Sequence, residues 1–144
     1  MSQENVELVR SIFAAWERGD FSSAEWAHPE IEFVVTDGPN PGRWNGVPAM
    51  AEAWLEALSA FEELRCEADE YRALDHERVL VPMRLTGRGK ASGLDVGQMQ
   101  MRGANLFHLR GGKVTRLVFY FDSKHAFADL GLSEQDAHAD SRSL

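Results

Sequence analysis

Apolar positions along the chain change period, and the change divides it into helices followed mainly by strands. Val6, Val9, Phe13 and Trp16 recur every three or four residues, with Leu8 and Ile12 widening the stripe, which predicts an amphipathic helix. Glu4 and Glu7 sit where a helix dipole favours anions, and Gly19 after Arg18 is a stop signal. Asp20 is placed to cap a second, shorter helix through roughly Ala27, ended by His28-Pro29. The period then falls to two. Ile31, Phe33 and Val35 alternate with Glu32 and Val34 and predict a first strand. Asp37-Gly38-Pro39-Asn40-Pro41-Gly42 reads as a loop, and a third helix follows Asn45-Gly46 with Met50, Trp54, Leu58 and Phe61 on one face.

From Leu64 onward the pattern predicts four strands, over 64–73, 77–87, 98–110 and 113–122. Gly87, Gly89, Gly93 and Gly97 mark a long connection between the second and third, and Gly111-Gly112 turns the third into the fourth. Phe119, Tyr120 and Phe121 are consecutive, and successive strand side chains point to opposite faces, so both faces of this strand need cover. A core or pocket on one face and a partner on the other would supply it. Helices followed by an antiparallel meander predict an α+β fold with helices on one face of a curved sheet. A single domain is expected over residues 1–132, with a polar, flexible tail at 133–144.

Composition narrows the functional classes. The 144 residues suffice for one sizeable core. No apolar stretch approaches membrane-spanning length, and Ser2, Glu4 and Glu7 are unlike a signal sequence. Cys66 stands alone, which excludes a disulfide framework or a cysteine metal cluster, and the expected location is the cytoplasm. A net charge of -8 argues against nucleic acid. The charge is uneven, however: Arg84, Arg88, Lys90, Arg102, Arg110, Lys113 and Arg116 share their segment with Asp95 alone. That pattern fits an outer sheet face whose arginines meet the acidic helices or a second subunit. With the doubly apolar strand 117–121, it predicts a homodimer through the outer sheet face.

Several short motifs, taken in order, carry a family resemblance. They are Asn5-Val6-Glu7-Leu8-Val9-Arg10, Ala14-Ala15-Trp16-Glu17-Arg18-Gly19-Asp20-Phe21 and His28-Pro29-Glu30-Ile31-Glu32-Phe33. Gly46 with Met50 and Trp54, Gly111-Gly112-Lys113-Val114, and Tyr120-Phe121-Asp122 through Leu130-Gly131-Leu132 complete the set. The chain resembles the SnoaL-like branch of the nuclear transport factor 2-like superfamily from about residue 3 to 132. The resemblance implies a cone: a strongly bent sheet around the long first helix (the cystatin-like arrangement), with an apolar cavity at the open end. Members include polyketide cyclases, ketosteroid isomerases, epoxide hydrolases and dehydratases, so fold alone does not fix activity.

The resemblance implies that the acids of the isomerases, cyclases and epoxide hydrolases are replaced here. Alignment with ketosteroid isomerases puts their helix tyrosine at Ile12, their aspartate base near Val35 and their sheet aspartate at Asn105. The essential aspartate of cyclases and epoxide hydrolases falls on Phe119, and the cyclases' sheet histidine falls on Asn105. Phenylalanine cannot transfer a proton. What the resemblance leaves is a pocket lined by Ile12, Trp54, Met83, Met101, Asn105, Phe107, Leu117, Phe119 and Phe121, with Gly103, Val81 and Leu85 beside them, for a small apolar or cyclic molecule. Asn105 either orients a ligand carbonyl or hydroxyl or is satisfied by backbone or water. If the protein is an enzyme, an isomerase, cyclase or dehydratase, its polar set would join Asn105 to Asp37, Asp122 or Tyr120; otherwise it is a binding or dimerisation module. Asp122 is equally placed to cap a helix near Lys124–Ala126, and Tyr120 should face outward with it. Trp44 and Asp37, beside the Pro/Gly loop, are expected at the pocket mouth, with Asp37 also readable as a solvated loop acid, and His28 reads as structural. His76 and His108 are isolated, and no metal-ligand spacing or cofactor motif is present.

Overall fold

The structure, a computed structural model, describes residues 2–18, 25–37, 41–59, 61–89 and 98–132. Helix α1 (Ser2–Glu17) is followed by strands β1 (Ala27–Val35) and β2 (Gly42–Asn45), helix α2 (Val47–Ser59) and strands β3 (Phe61–Ala68) and β4 (Arg72–Ala73). Strands β5 (Arg78–Gly89), β6 (Gln98–Arg110) and β7 (Lys113–Tyr120) precede the short helix α3 (Ser123–Asp129). The strands form one seven-stranded sheet in the order β2-β1-β7-β6-β5-β3, with β4 also on β5. The fold is the expected α+β arrangement, and the sheet is antiparallel except that β1 and β7 run parallel.

Helices α1 and α2 pack on the inner face. Val9, Ile12, Phe13 and Trp16 of α1 and Met50 of α2 join Ile31, Phe33, Val79, Val81, Met83, Phe107, Leu109, Val114 and Leu117 in one buried cluster. Its centre is aromatic: Trp16 lies 4.9 Å from Trp54 and stacks on Phe107 at 6.1 Å, while Phe13 meets both Trp16 and Phe107. The outer face carries a second cluster, in which Val34, Leu80, Ala104, Leu106, Val118 and Tyr120 are covered by Ala126 and Phe127 of α3. Val118 and Tyr120, whose burial was expected from a second subunit, are therefore buried within the chain itself.

Several boundaries differ from the sequence reading, each for a local reason. Ala27, expected to end a second helix, opens β1; residues 20–24 of that helix lie outside the described residues. Pro29 is tolerated inside β1 because the β1–β7 register shifts between Ala27 and Glu32, where no ladder hydrogen bond is required of it. Gly42–Asn45, read as loop and helix lead-in, is β2, seated on β1 with the Trp44 ring 5.7 Å from Phe33. Phe61, expected on the α2 face, begins β3.

The strand expected at 64–73 is two strands, and Pro82 of β5 explains the break. Ala68 of β3 pairs with Met83 and Arg72 of β4 with Leu80, so Pro82 falls in the gap. Proline offers no N–H to a neighbouring strand, and its carbonyl instead accepts from the Asp69 amide at 2.8 Å. Strand β5 continues through Gly87 to Gly89, and Gly93, Gly97 and the tail from Ser133 lie outside the described residues. At the β6–β7 turn, Gly111 and Gly112 have φ of 60° and 77°, the left-handed pair that a two-residue hairpin requires.

Candidate functional site

The register of β1, β7, β6 and β5 lays the inner face out in cross-strand rows. Phe33, Leu117, Phe107 and Val79 form one row; Val35, Phe119, Asn105 and Val81 form the next. Along this direction exposure rises. The first row is buried throughout, whereas Val35, Phe119, Phe121 and, farther along β5, Leu85 are half-buried. Apolar surface of the inner face therefore meets solvent at the C-terminal ends of β1 and β7. The Phe119 and Phe121 rings meet edge to face there, 4.7 Å apart.

Asn105 shares the row of Val35 and Phe119, directly across from Phe119, and is only 2% exposed. Its Nδ2 donates to the Met83 thioether at 3.1 Å, a weak acceptor for a buried amide. On the rim side of Asn105, β6 carries Gly103, and the reason is steric: a Cβ there would stand 2.5 Å from the Tyr120 carbonyl oxygen. No side chain can occupy that position without moving β7, so the surface next to Asn105 and Phe121 is left without one.

The other proposed lining residues divide. Ile12, Met83, Phe107 and Leu117 are buried in the inner core, packed by protein side chains. Trp54 is half-buried but belongs to the aromatic centre, near Trp16, Trp26 and Phe33. Met101 holds its place in β6 opposite Leu85, and its side chain lies outside the described residues.

The polar candidates fall into a different group. Asp37, just beyond β1, accepts from the Phe121 amide at 2.7 Å and the Asp122 amide at 3.3 Å, and its Oδ2 is 3.1 Å from Nδ1 of His125. Asp122 is the N-cap of α3, accepting from the Lys124 amide at 2.9 Å. Tyr120 faces outward, and its hydroxyl donates to Oδ2 of Asp129 at 3.3 Å. Burial, then the Asp129 charge and the hydrogen bond to it, push the Tyr120 phenol up to about 12. Asn105 belongs to the inner cluster's side of the sheet and Tyr120 to the outer, so the structure does not bring the proposed polar set together. His125 and Asp129 were missed in the sequence. The available signal was their four-residue spacing after the Asp122 cap; the partner Asp37, 88 residues away from His125, was not readable from it.

Three arginines of the positive segment find acids within the chain. Arg84 meets Asp69 and Glu67, Arg110 meets Glu77, and Arg116 meets Glu32 at 2.9 Å. These partners come from strands and loops, not from the acidic helices that the sequence suggested. His108 sits between Arg116 and Arg78 in register on the outer face, and burial followed by those two guanidinium charges lowers its pKa. Nearby, Arg72, Ala73, Leu74, Arg78, Leu130 and Leu132 line an outer groove of about 340 Å³. Cys66 is buried in the inner core, and burial pushes its thiol up to about 12. Among the described residues no set of His, Cys, Asp and Glu is arranged to hold a metal ion, and no helix is long and apolar enough to cross a membrane.

A family model described as the SnoaL-like domain matches residues 9–117. No curated protein matches the chain. Among solved structures, TerC co-crystallised with polyporic acid superposes with a TM-score of 0.69 at 21% identity, over 88% of this chain and 97% of that one. A candidate SnoaL-like polyketide cyclase from Jannaschia sp. CCS1 gives a TM-score of 0.70 at 17% identity, over 88% and 90% of the two chains. A protein of ketosteroid isomerase-like fold from Catenulispora acidiphila DSM 44928, in complex with trimethylamine, gives 0.66 at 15% identity, over 88% and 93%. At such identities the likeness establishes the fold alone.

Proposed function

Since the chain belongs to the SnoaL-like domain family, we propose that it binds a small hydrophobic or cyclic molecule at the apolar rim of its inner face. The observation that carries this reading is the passage from buried to half-buried apolar side chains at Val35, Leu85, Phe119 and Phe121, with the buried amide of Asn105 beside Phe119 in the same row. An aromatic rim with one polar group at its base binds flat apolar bodies and orients a single carbonyl or hydroxyl. TerC with polyporic acid is consistent with this chemistry on the same scaffold. Binding stands ahead of catalysis because an aromatic ring occupies the cyclase acid position and Asp37, Asp122 and Tyr120 are engaged around α3. We place the protein in the cytoplasm, where its single thiol stays reduced, and in a homodimer whose contact includes the part of the outer face left open by α3.

Titration with the apolar dye 8-anilinonaphthalene-1-sulfonate tests the ligand site. Saturable binding that Phe121→Ser or Asn105→Leu weakens, and that Leu74→Ser in the outer groove leaves unchanged, is the expected result. The opposite pattern would move the apolar site to the outer groove, and no saturable binding would remove it.

A further inference from the structure

Outside the rim, titratable groups gather at the junction of β7 and α3, and what they hold in place is the cover of the outer apolar row. Residues of α3 supply Ala126 and Phe127 to that cover, with Leu130 and Leu132 packed alongside. His125 projects from α3 between two carboxylates: its Nδ1 is 3.1 Å from Asp37 Oδ2, and its Nε2 is 3.6 Å from Asp129 Oδ2. Its ring also meets Tyr120 edge to face at 5.4 Å. We infer that His125 is a pH-responsive latch, which in its protonated form ties α3 to the end of β1 and in its neutral form loosens α3 from the outer apolar row.

The chemistry follows from counting protons. An imidazolium carries two N–H donors, one for each flanking carboxylate; neutral imidazole carries one, and turns a lone pair toward the other acid. Histidine is the side-chain type that makes this change near neutral pH. The charged and titratable groups around it are Asp37 beyond β1, Tyr120 of β7, and Asp122, Lys124 and Asp129 of the α3 segment; Arg116 of β7 also acts on Tyr120. With the imidazolium charge removed, Asp37 and Asp129 face each other across it without a cation between them. The motion is confined to α3, because Asp37 keeps the Phe121 and Asp122 amides in either state and so holds the end of β7.

Amide hydrogen exchange on the full chain at about pH 6 and about pH 8, corrected for intrinsic exchange, tests the latch. Protection over residues 123–129 should fall about two- to fivefold at the higher pH, the worth of a half-exposed ion pair, while β6 protection holds. His125→Asn should abolish the pH dependence, and Asp129→Asn should reduce it. Equal α3 protection at both pH values in the wild type, or an undiminished pH dependence in both variants, would overturn the proposal.

Discussion

Phe119 shows how one side chain sets the character of the rim. Its ring leans on Phe121 at 4.7 Å and stands opposite Asn105 and Val35 in the sheet, yet it is half-buried. A carboxylate placed there would reach water at its tip, so the cost of Phe119→Asp is lost aromatic packing more than a trapped charge. We expect the substitution to destabilise the protein by about 1–3 kcal/mol, below the about 3–5 kcal/mol of a sealed aromatic site. Thermal melting should show a drop of several degrees. A midpoint within about one degree of wild type would mean that the ring adds little packing and that the rim is wet.

At the scale of elements, the outer face is governed by which side chains the register sets side by side. Glu32, Arg116, His108 and Arg78 form a cross-strand row, in which Glu32 pairs with Arg116 and Asp75 with Arg78. His108 is thereby flanked by cations and partly removed from water, so the folded protein binds its proton less readily than the unfolded chain. The sign is fixed by linkage: stability is full above the unfolded histidine value of about 6.5 and declines as pH falls below it. His108→Gln should therefore lose less stability than wild type between about pH 7.5 and about pH 5, read as the shift in urea midpoint. Equal losses would show that neither burial nor the Arg116 and Arg78 charges weaken the ring's hold on its proton.

For the whole molecule, α3 changes what the outer face offers to a second copy. The apolar row under α3 is already dry, and the part left open is the groove of Arg72, Leu74, Arg78, Leu130 and Leu132. A two-fold contact that repeats these leucines, each worth roughly 1.5–3 kcal/mol when fully buried, would hold a dimer. Light scattering at micromolar concentration should give twice the chain mass, reduced toward one chain by Leu74→Glu. A single-chain mass for the wild type would confine the groove to the monomer surface.

Helix α1, the strand pattern of β5 to β7 and the Gly111-Gly112 turn were legible in the sequence because each is a local matter: a hydrophobic period, or a backbone angle that glycine alone adopts freely. The inward side of Phe119 and Asn105 was implied by the family resemblance, and the two-residue repeat of a strand extends it to Leu117 and Phe107. Chain-distant pairings escaped it. The break between β3 and β4 depends on Pro82 across the sheet, and the partner that dries Tyr120 turned out to be the chain's own α3. Likewise the His125–Asp37 contact exists only because β1 and β7 lie side by side in parallel. Periodicity fixes which residues share a face; only the tertiary structure decides what stands against it, since that choice is made by elements far apart in the chain.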